Sequence, residues 1–216
     1  MYFSKSDLEQ SSKVKRLNII NSVSGIKPAN LIGTEATDGV ANLAIFSSIV
    51  HMSSSPASLG FIIRPDSEVR RHTYENIQAN GCFTVNHIHS NFIEKAHYTS
   101  AKFEAEVSEF DRCELTKEYL FDFKAPFVKE SNLKIALKHL ESIPIKSANT
   151  ILVVGEIQHL VIADHAIDQR GYIDLGLLEN VGISGLNCYY ELNKINEFPY
   201  ARPQEVPNWN QDKDAR

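Results

Sequence analysis

The stretch from Lys27 to Asn86 constrains the fold most, because short apolar runs alternate there with turn signals at strand spacing. Lys27–Thr34 and Ala41–Phe46 read as two strands around the turn Asp38-Gly39. A hydroxyl-rich bend follows, from Ser47 to Pro56. Leu59–Ile63 is an apolar run that ends in Arg64-Pro65, and Cys82–Asn86 reads as another strand. Repeated short strands with polar connections predict a barrel wall.

Between the last two strands lies a basic knot, Arg70-Arg71-His72-Thr73. Thr73 reads as the N-cap of a short helix, with Glu75 in its first turn, Asn76 three residues after the cap and Gly81 as the left-handed stop. A helix start offers unpaired N–H groups and partial positive charge, both of which favour an anion. Arginine adds paired hydrogen bonds to phosphate. The plainer reading is a solvated basic turn capping an ordinary helix.

The bend itself carries Ser47, Ser48, Ser53, Ser54 and Ser55. Small hydroxyl side chains let a ligand approach the backbone and act as donor or acceptor; a flexible polar loop would look the same. Taken with the basic knot, they suggest a ligand with a phosphate at one end and a flat heteroaromatic group at the other. His51 can hydrogen-bond such a ligand or pack beneath the bend, and packing is the simpler reading.

These residues resemble the flavin reductase-like family. The likeness runs through Asp38-Gly39, Asn42, Phe46-Ser47, Ser54-Ser55-Pro56, Arg71-His72-Thr73, Asn76-Ile77, Gly81, Phe83 and Val85-Asn86. It continues through Thr99-Ser100-Ala101, Glu109-Phe110, Ala125-Pro126, Glu130-Ser131, Gly155-Glu156-Ile157 and Tyr189-Tyr190, so it covers roughly Asn18 to Pro203. The resemblance implies a mostly β fold, an FMN-binding split β-barrel of Greek-key type with a few short peripheral helices. It implies a cofactor set of Asn42, Phe46, Ser47, Ser48, Ser53, Ser54, Arg64, Arg71, His72, Thr73, Asn86 and His97. Ser47 and Ser48 would meet the ribityl-phosphate side, Ser53 and Ser54 the polar edge of the ring, and Arg64, Arg71, His72 and Thr73 the phosphate. It places His97-Tyr98-Thr99-Ser100 near a flavin, in this subunit or a partner. Two departures stand beside the flavin: Ile45 and Ala57, where family members often carry proline.

The implied activity is NAD(P)H-dependent flavin reduction, with the hydride chemistry carried by the flavin and no side-chain acid or base. The implied partners are small-molecule flavin and nicotinamide, a second copy in a homodimer, and a monooxygenase component. Two alternatives share the fold: a flavoredoxin-like electron carrier with tightly bound FMN, and a flavin-free binding module.

The remaining sequence narrows the classes. A net charge of −5 disfavours nucleic acid and anionic membrane as partners. No apolar run approaches the roughly 20 residues of a membrane span, the N-terminus lacks a secretory pattern, and Cys82, Cys113 and Cys188 form no CxxC. A cytoplasmic protein with buried, unpaired thiols is expected. There is no GxGxxG after a strand, no P-loop and no GxSxG. His87 and His89 share a strand face and could bind a metal with His97 or His51, but no carboxylate or cysteine stands at ligand spacing, so no metal site is expected.

Residues 1–17 read as an N-terminal arm, 18–200 as one barrel domain and 201–216 as a polar tail. Asn91–His97 reads as a short helix capped by Ser90, Glu104–Tyr119 as acidic surface loop plus a turn, and Ala125–Val128 as a short extended piece. Leu133–Ile143 fits helix or strand by spacing and is taken as strand on the resemblance. Thr150–Val161 is the clearest strand, suited to burial on both faces, with Gly155 at a bulge or close approach. Asp168–Gly171 reads as a turn.

Overall fold

The computed structural model describes residues 1–64, 72–104 and 106–208. Its α-helices are α1 (Lys5–Gln10), α2 (Lys13–Ser22), α3 (His72–Asn80), α4 (Ile93–Tyr98) and α5 (Glu109–Arg112). Its strands are β1 (Lys27–Pro28), β2 (Asn30–Glu35), β3 (Ala41–Phe46), β4 (Val50–Ser54), β5 (Ala57–Ile63), β6 (Cys82–His87), β7 (Lys117–Glu118), β8 (Phe127–Val128), β9 (Leu133–Ile145), β10 (Thr150–Ile162), β11 (Val181–Ser184) and β12 (Cys188–Glu191). No helix among the described residues is long and apolar enough to cross a membrane.

Seven strands form one antiparallel sheet in the order β3-β2-β6-β9-β10-β5-β4. Its two edges, β3 and β4, are consecutive in sequence and are joined by residues 47–49. The sheet therefore curls until its edges face each other across a gap. Two side-chain contacts bridge that gap. The Phe46 ring meets Phe61 edge-on at 5.0 Å, and the Ser48 hydroxyl binds the Ile62 backbone. This is a split β-barrel, as the family resemblance implied.

Period-2 alternation sorts the side chains into two cores. Ile32, Phe61, Ile63, Phe83, Val85, Ile135, Leu137 and Val153 fill the barrel, with Ile77 of α3 and Leu178 closing its ends. Leu31, Leu43 and Ile88 point outward and are covered by Phe92, Ala96, Phe110, Leu115, Val128 and Ile183. Gly155 shows both expected properties. The β9–β10 register shifts between Val154 and Gly155, and a Cβ there would lie 2.7 Å from the Phe83 ring.

Several expectations are corrected. The helix α2 spans Lys13–Ser22 and so crosses the boundary drawn at residue 17. Thr73 is inside α3, whose first residue is His72. His89, not Ser90, caps the 90–92 turn that leads into α4; its Nδ1 accepts the Asn91 N–H at 3.1 Å. The acidic stretch 104–119 contains α5 and contributes the buried Phe110, Cys113 and Leu115 to the outer core. Its apolar residues are too few and too irregularly spaced to show this from pattern alone. Full two-sided burial in β10 is confined to Val153, Val154 and Gly155. Of the three thiols, only Cys113 is buried; Cys188 is exposed.

Candidate flavin site

The hydroxyl-rich run is an edge strand and not a loop. β4 pairs with β5 from Val50↔Gly60 to Ser54↔Ala57, around the two-residue turn Ser55-Pro56. Within this hairpin Ser53 Oγ accepts the Ser55 N–H at 3.1 Å, and His51 Nε2 lies 3.3 Å from Ser54 Oγ. His51 is exposed beside the serines and does not pack beneath them. Ser48 extends the ladder by its side chain. Its Oγ accepts the Ile62 N–H and donates to the Ile62 carbonyl, both at 3.1 Å, in the register already set by Val50↔Gly60. That hydroxyl is occupied by Ile62 at the seam of the barrel.

Its neighbour Ser47 is half-buried and its hydroxyl has no hydrogen-bond partner among the described residues. The Ser48–Ile62 tie holds Ser47 close to the Arg64 end of β5. Arg64 is exposed and likewise has no partner among the described residues. Ser53 and Ser54 lie at the other end of the hairpin, about 20 Å away at the usual rise of about 3.3 Å per residue. The rim therefore offers a cation at one end and hydroxyls along its length. Arg71 lies outside the described residues.

The start of α3 is held by a buried polar knot. Asn42 Nδ2 donates to Thr73 Oγ1 at 3.1 Å and to Thr34 Oγ1 at 3.3 Å; Asn76 Nδ2 donates to the same Thr34 oxygen at 3.1 Å. All four residues are buried. Asn42 thus orients Thr73, whose own hydroxyl donates to no partner among the described residues. Beside this knot, Glu109 is buried and accepts the Leu43 N–H at 2.9 Å, capping the open edge of β3. Burial pushes its carboxyl up, against the lowering effects of that N–H and of nearby His72. Sequence reasoning assigned Glu109 no role; a carboxylate directly before a buried phenylalanine was the available signal. A cleft of about 380 Å³ opens at this helix start, but Asp38, Glu75 and Glu106 line it together with His72. Their negative charge opposes an anion there, so a phosphate is better matched to the Arg64 side.

The other predicted residues separate. Asn86 is fully buried in β6. Its Nδ2 donates to Thr84 Oγ1 and the Leu31 carbonyl, and its Oδ1 accepts the Val128 N–H at 3.0 Å. These bonds fasten β8 to the barrel and leave Asn86 no surface for a ligand, which removes it from the expected set. His97 Nδ1 lies 3.0 Å from the Tyr189 hydroxyl, whose pKa burial pushes up to about 12. Both line an open cavity of about 470 Å³ with Tyr98 and Asn187. A further cavity of about 700 Å³ lies elsewhere, lined by residues within 165–177 and 191–197. No group of three or more metal-ligating side chains exists among the described residues.

The curled sheet, open along one seam and carrying hydroxyls on one edge strand, defines the class: a split-barrel protein of the flavin-handling kind. The chain belongs to the flavin reductase like domain family, whose model matches residues 26–177. A candidate flavin reductase with a split barrel domain from Shewanella frigidimarina NCIMB 400 is 45% identical, with a TM-score of 0.89 over 93% of this chain and 100% of that one. Two more distant structures share the fold. Nitrilotriacetate monooxygenase component B from Bacillus cereus is 18% identical, with a TM-score of 0.80 over 92% and 98% of the two chains. The flavoredoxin of Desulfovibrio vulgaris (Miyazaki F) is 21% identical, with a TM-score of 0.70 over 82% and 92%. Membership in this family supports a flavin-related oxidoreductase function.

Proposed function

We propose that the protein is an NAD(P)H-dependent flavin reductase that holds FMN along the β3–β4 crossing and the Arg64 end of β5. The observation that carries this reading is the Ser47 hydroxyl, without a partner among the described residues and held by the Ser48–Ile62 tie near the end of β5 that carries the exposed Arg64. That donor set fits a phosphorylated polyol chain. Arg64 and Arg71 hold the phosphate in this reading. Ser47 serves the ribityl chain, Phe46 walls it, and Ser53 and Ser54 meet the polar edge of the ring. His97 approaches the flavin of this or a partner subunit. Bound there, FMN would supply the hydride chemistry, with NADH or NADPH as donor.

The β4 edge is open, with Val50 46% and Met52 41% exposed. A ring lying against it would be covered on one side only, which supports a homodimer whose second copy completes the site. A monomer by light scattering would contradict that part. The three free cysteines accord with a cytoplasmic setting, and a monooxygenase component is the acceptor proposed for reduced flavin.

The test is a visible spectrum of the purified protein, followed by NADH and NADPH oxidation with free FMN added. Multiple turnovers support the reductase. A single stoichiometric reduction of tightly held flavin would make it an electron carrier, and failure to take up FMN would overturn the reading.

A further inference from the structure

Inside the barrel, at the end away from α3, three polar side chains meet in an otherwise apolar core. Asn30 and His87 are cross-strand partners on β2 and β6. Each lies two residues beyond an inward-facing core residue, Ile32 and Val85 respectively, so both point into the barrel. Asn180 reaches them from the segment before β11, with its Nδ2 3.4 Å from His87 Nδ1.

Asn30 is 0% exposed, and neither its Oδ1 nor its Nδ2 has a partner among the described residues. Asn180 is 2% exposed, and its Oδ1 is also unpartnered. Exchanging the amide oxygen and nitrogen does not help. For Asn30 both atoms are bare, and for Asn180 one atom always faces His87 while the other stays unpaired. The other cross-strand neighbour of Asn30 is Phe46, whose side chain has no polar atom to offer. An unpaired buried amide is costly, and folded proteins satisfy such groups with protein or with ordered water. The free set contains one donor group and two acceptors and no charged residue. Burial also keeps His87 neutral, with its pKa lowered to about 4.

We propose that Asn30, His87 and Asn180 form an internal water-binding site in which at least one ordered water bridges the Asn30 amide to Asn180 Oδ1. A water can donate to both free oxygens or accept from the free Nδ2, and internal waters typically make about three such bonds. A neutral donor set suits water better than a cation. The bridge ties the segment leading into β11 to strands β2 and β6, and so closes this end of the barrel.

A crystal structure of the full chain that resolves ordered water tests the site directly. The expected result is a water within about 2.7–3.2 Å of the Asn30 amide and of Asn180 Oδ1. A chamber without water, with the Asn30 amide turned to a protein partner, overturns the proposal; so does a bound cation with an anomalous signal. In solution, ¹⁷O relaxation dispersion of wild type and Asn30→Leu is expected to differ by at least one long-lived water. Unchanged dispersion in a folded variant would also overturn it. If Asn30→Leu does not fold, the wild-type crystal result decides.

Discussion

Ser48 Oγ makes two hydrogen bonds to one residue, accepting from the Ile62 amide and donating to the Ile62 carbonyl, both at 3.1 Å. A side chain thereby does what a strand backbone would do, and the chain crosses the barrel's seam while staying fastened to β5. Ser48→Ala leaves both Ile62 groups unpaired in a half-buried setting, so a loss of about 1–3 kcal/mol is expected. Urea denaturation measures it; an unchanged midpoint would show that the tie is dispensable.

Ser47→Ala and Arg71→Ala are expected to behave in the opposite way. For Ser47→Ala, whose hydroxyl has no partner among the described residues, stability should hold within about 0.5 kcal/mol. FMN affinity should fall, for Arg71→Ala by about tenfold or more, since a hydrogen bond to a charged group contributes about 1.5–3 kcal/mol. Fluorescence titration reads this out, and unchanged affinity for Arg71→Ala would remove the phosphate assignment.

Glu109 separates its hydrogen-bonding role from its charge. Glu109→Ala strands the Leu43 N–H, at an expected cost of about 1–3 kcal/mol. Glu109→Gln keeps an acceptor and removes a buried charge. Because burial raises the folded-state pKa above the unfolded value, ionisation opposes folding, and wild type gains stability as pH falls through that raised pKa. The Gln variant should therefore equal or exceed wild type at pH 7, with the difference shrinking in acid. Paired denaturation series would refute this if the Gln variant proved weaker at neutral pH and stayed so in acid.

His87 works in the reverse sense. Its folded pKa of about 4 lies below the ordinary 6.5, so between those values the unfolded chain binds the proton more readily. Its contribution is whole above pH 6.5 and is lost as pH falls towards 4. At about 1.4 kcal/mol per unit the loss is at most about 3 kcal/mol, reduced by the residue's remaining solvent contact. A stability profile that stays flat from pH 7 to pH 4, or is unchanged in His87→Gln, would rule this out.

Gly155→Ala places a methyl 2.7–2.8 Å from two Phe83 ring atoms and 3.0 Å from Leu137 Cβ. Phe83 sits in the packed barrel centre and cannot retreat freely. Overpacking of this kind costs about 1–3 kcal/mol, readable as a lowered thermal midpoint. An unchanged midpoint would mean that the Phe83 ring can move aside.

Local chemistry was enough to place much of the fold. Asp38-Gly39 and Gly81 carry the positive φ their turns require, at Gly39 and at Gly81. The β-branched run at 150–161 became β10; the spacing of Leu133, Ile135 and Leu137 fits helix as well as strand, and sheet pairing made it the inner face of β9. The ordered small motifs indicated a flavin-handling barrel before any contact was known, because turn residues and period-2 burial act over a few neighbours. The 104–119 segment was misread because Phe110 and Leu115 are buried by strands distant in sequence.

The sequence by itself determined most of the barrel strands, the turns and the family, since those depend on backbone preference and alternation along the chain; it left the β4 edge as a bend. Only the tertiary structure decided which polar side chains stay open and which hold the barrel together. Ser47 and Ser48 are adjacent and chemically identical, yet Ser48 is spent on Ile62. Asn86, read as a ligand contact, is spent on Val128. Whether a hydroxyl or amide remains available depends on which distant backbone groups come within bonding distance, and closure of the sheet settles that.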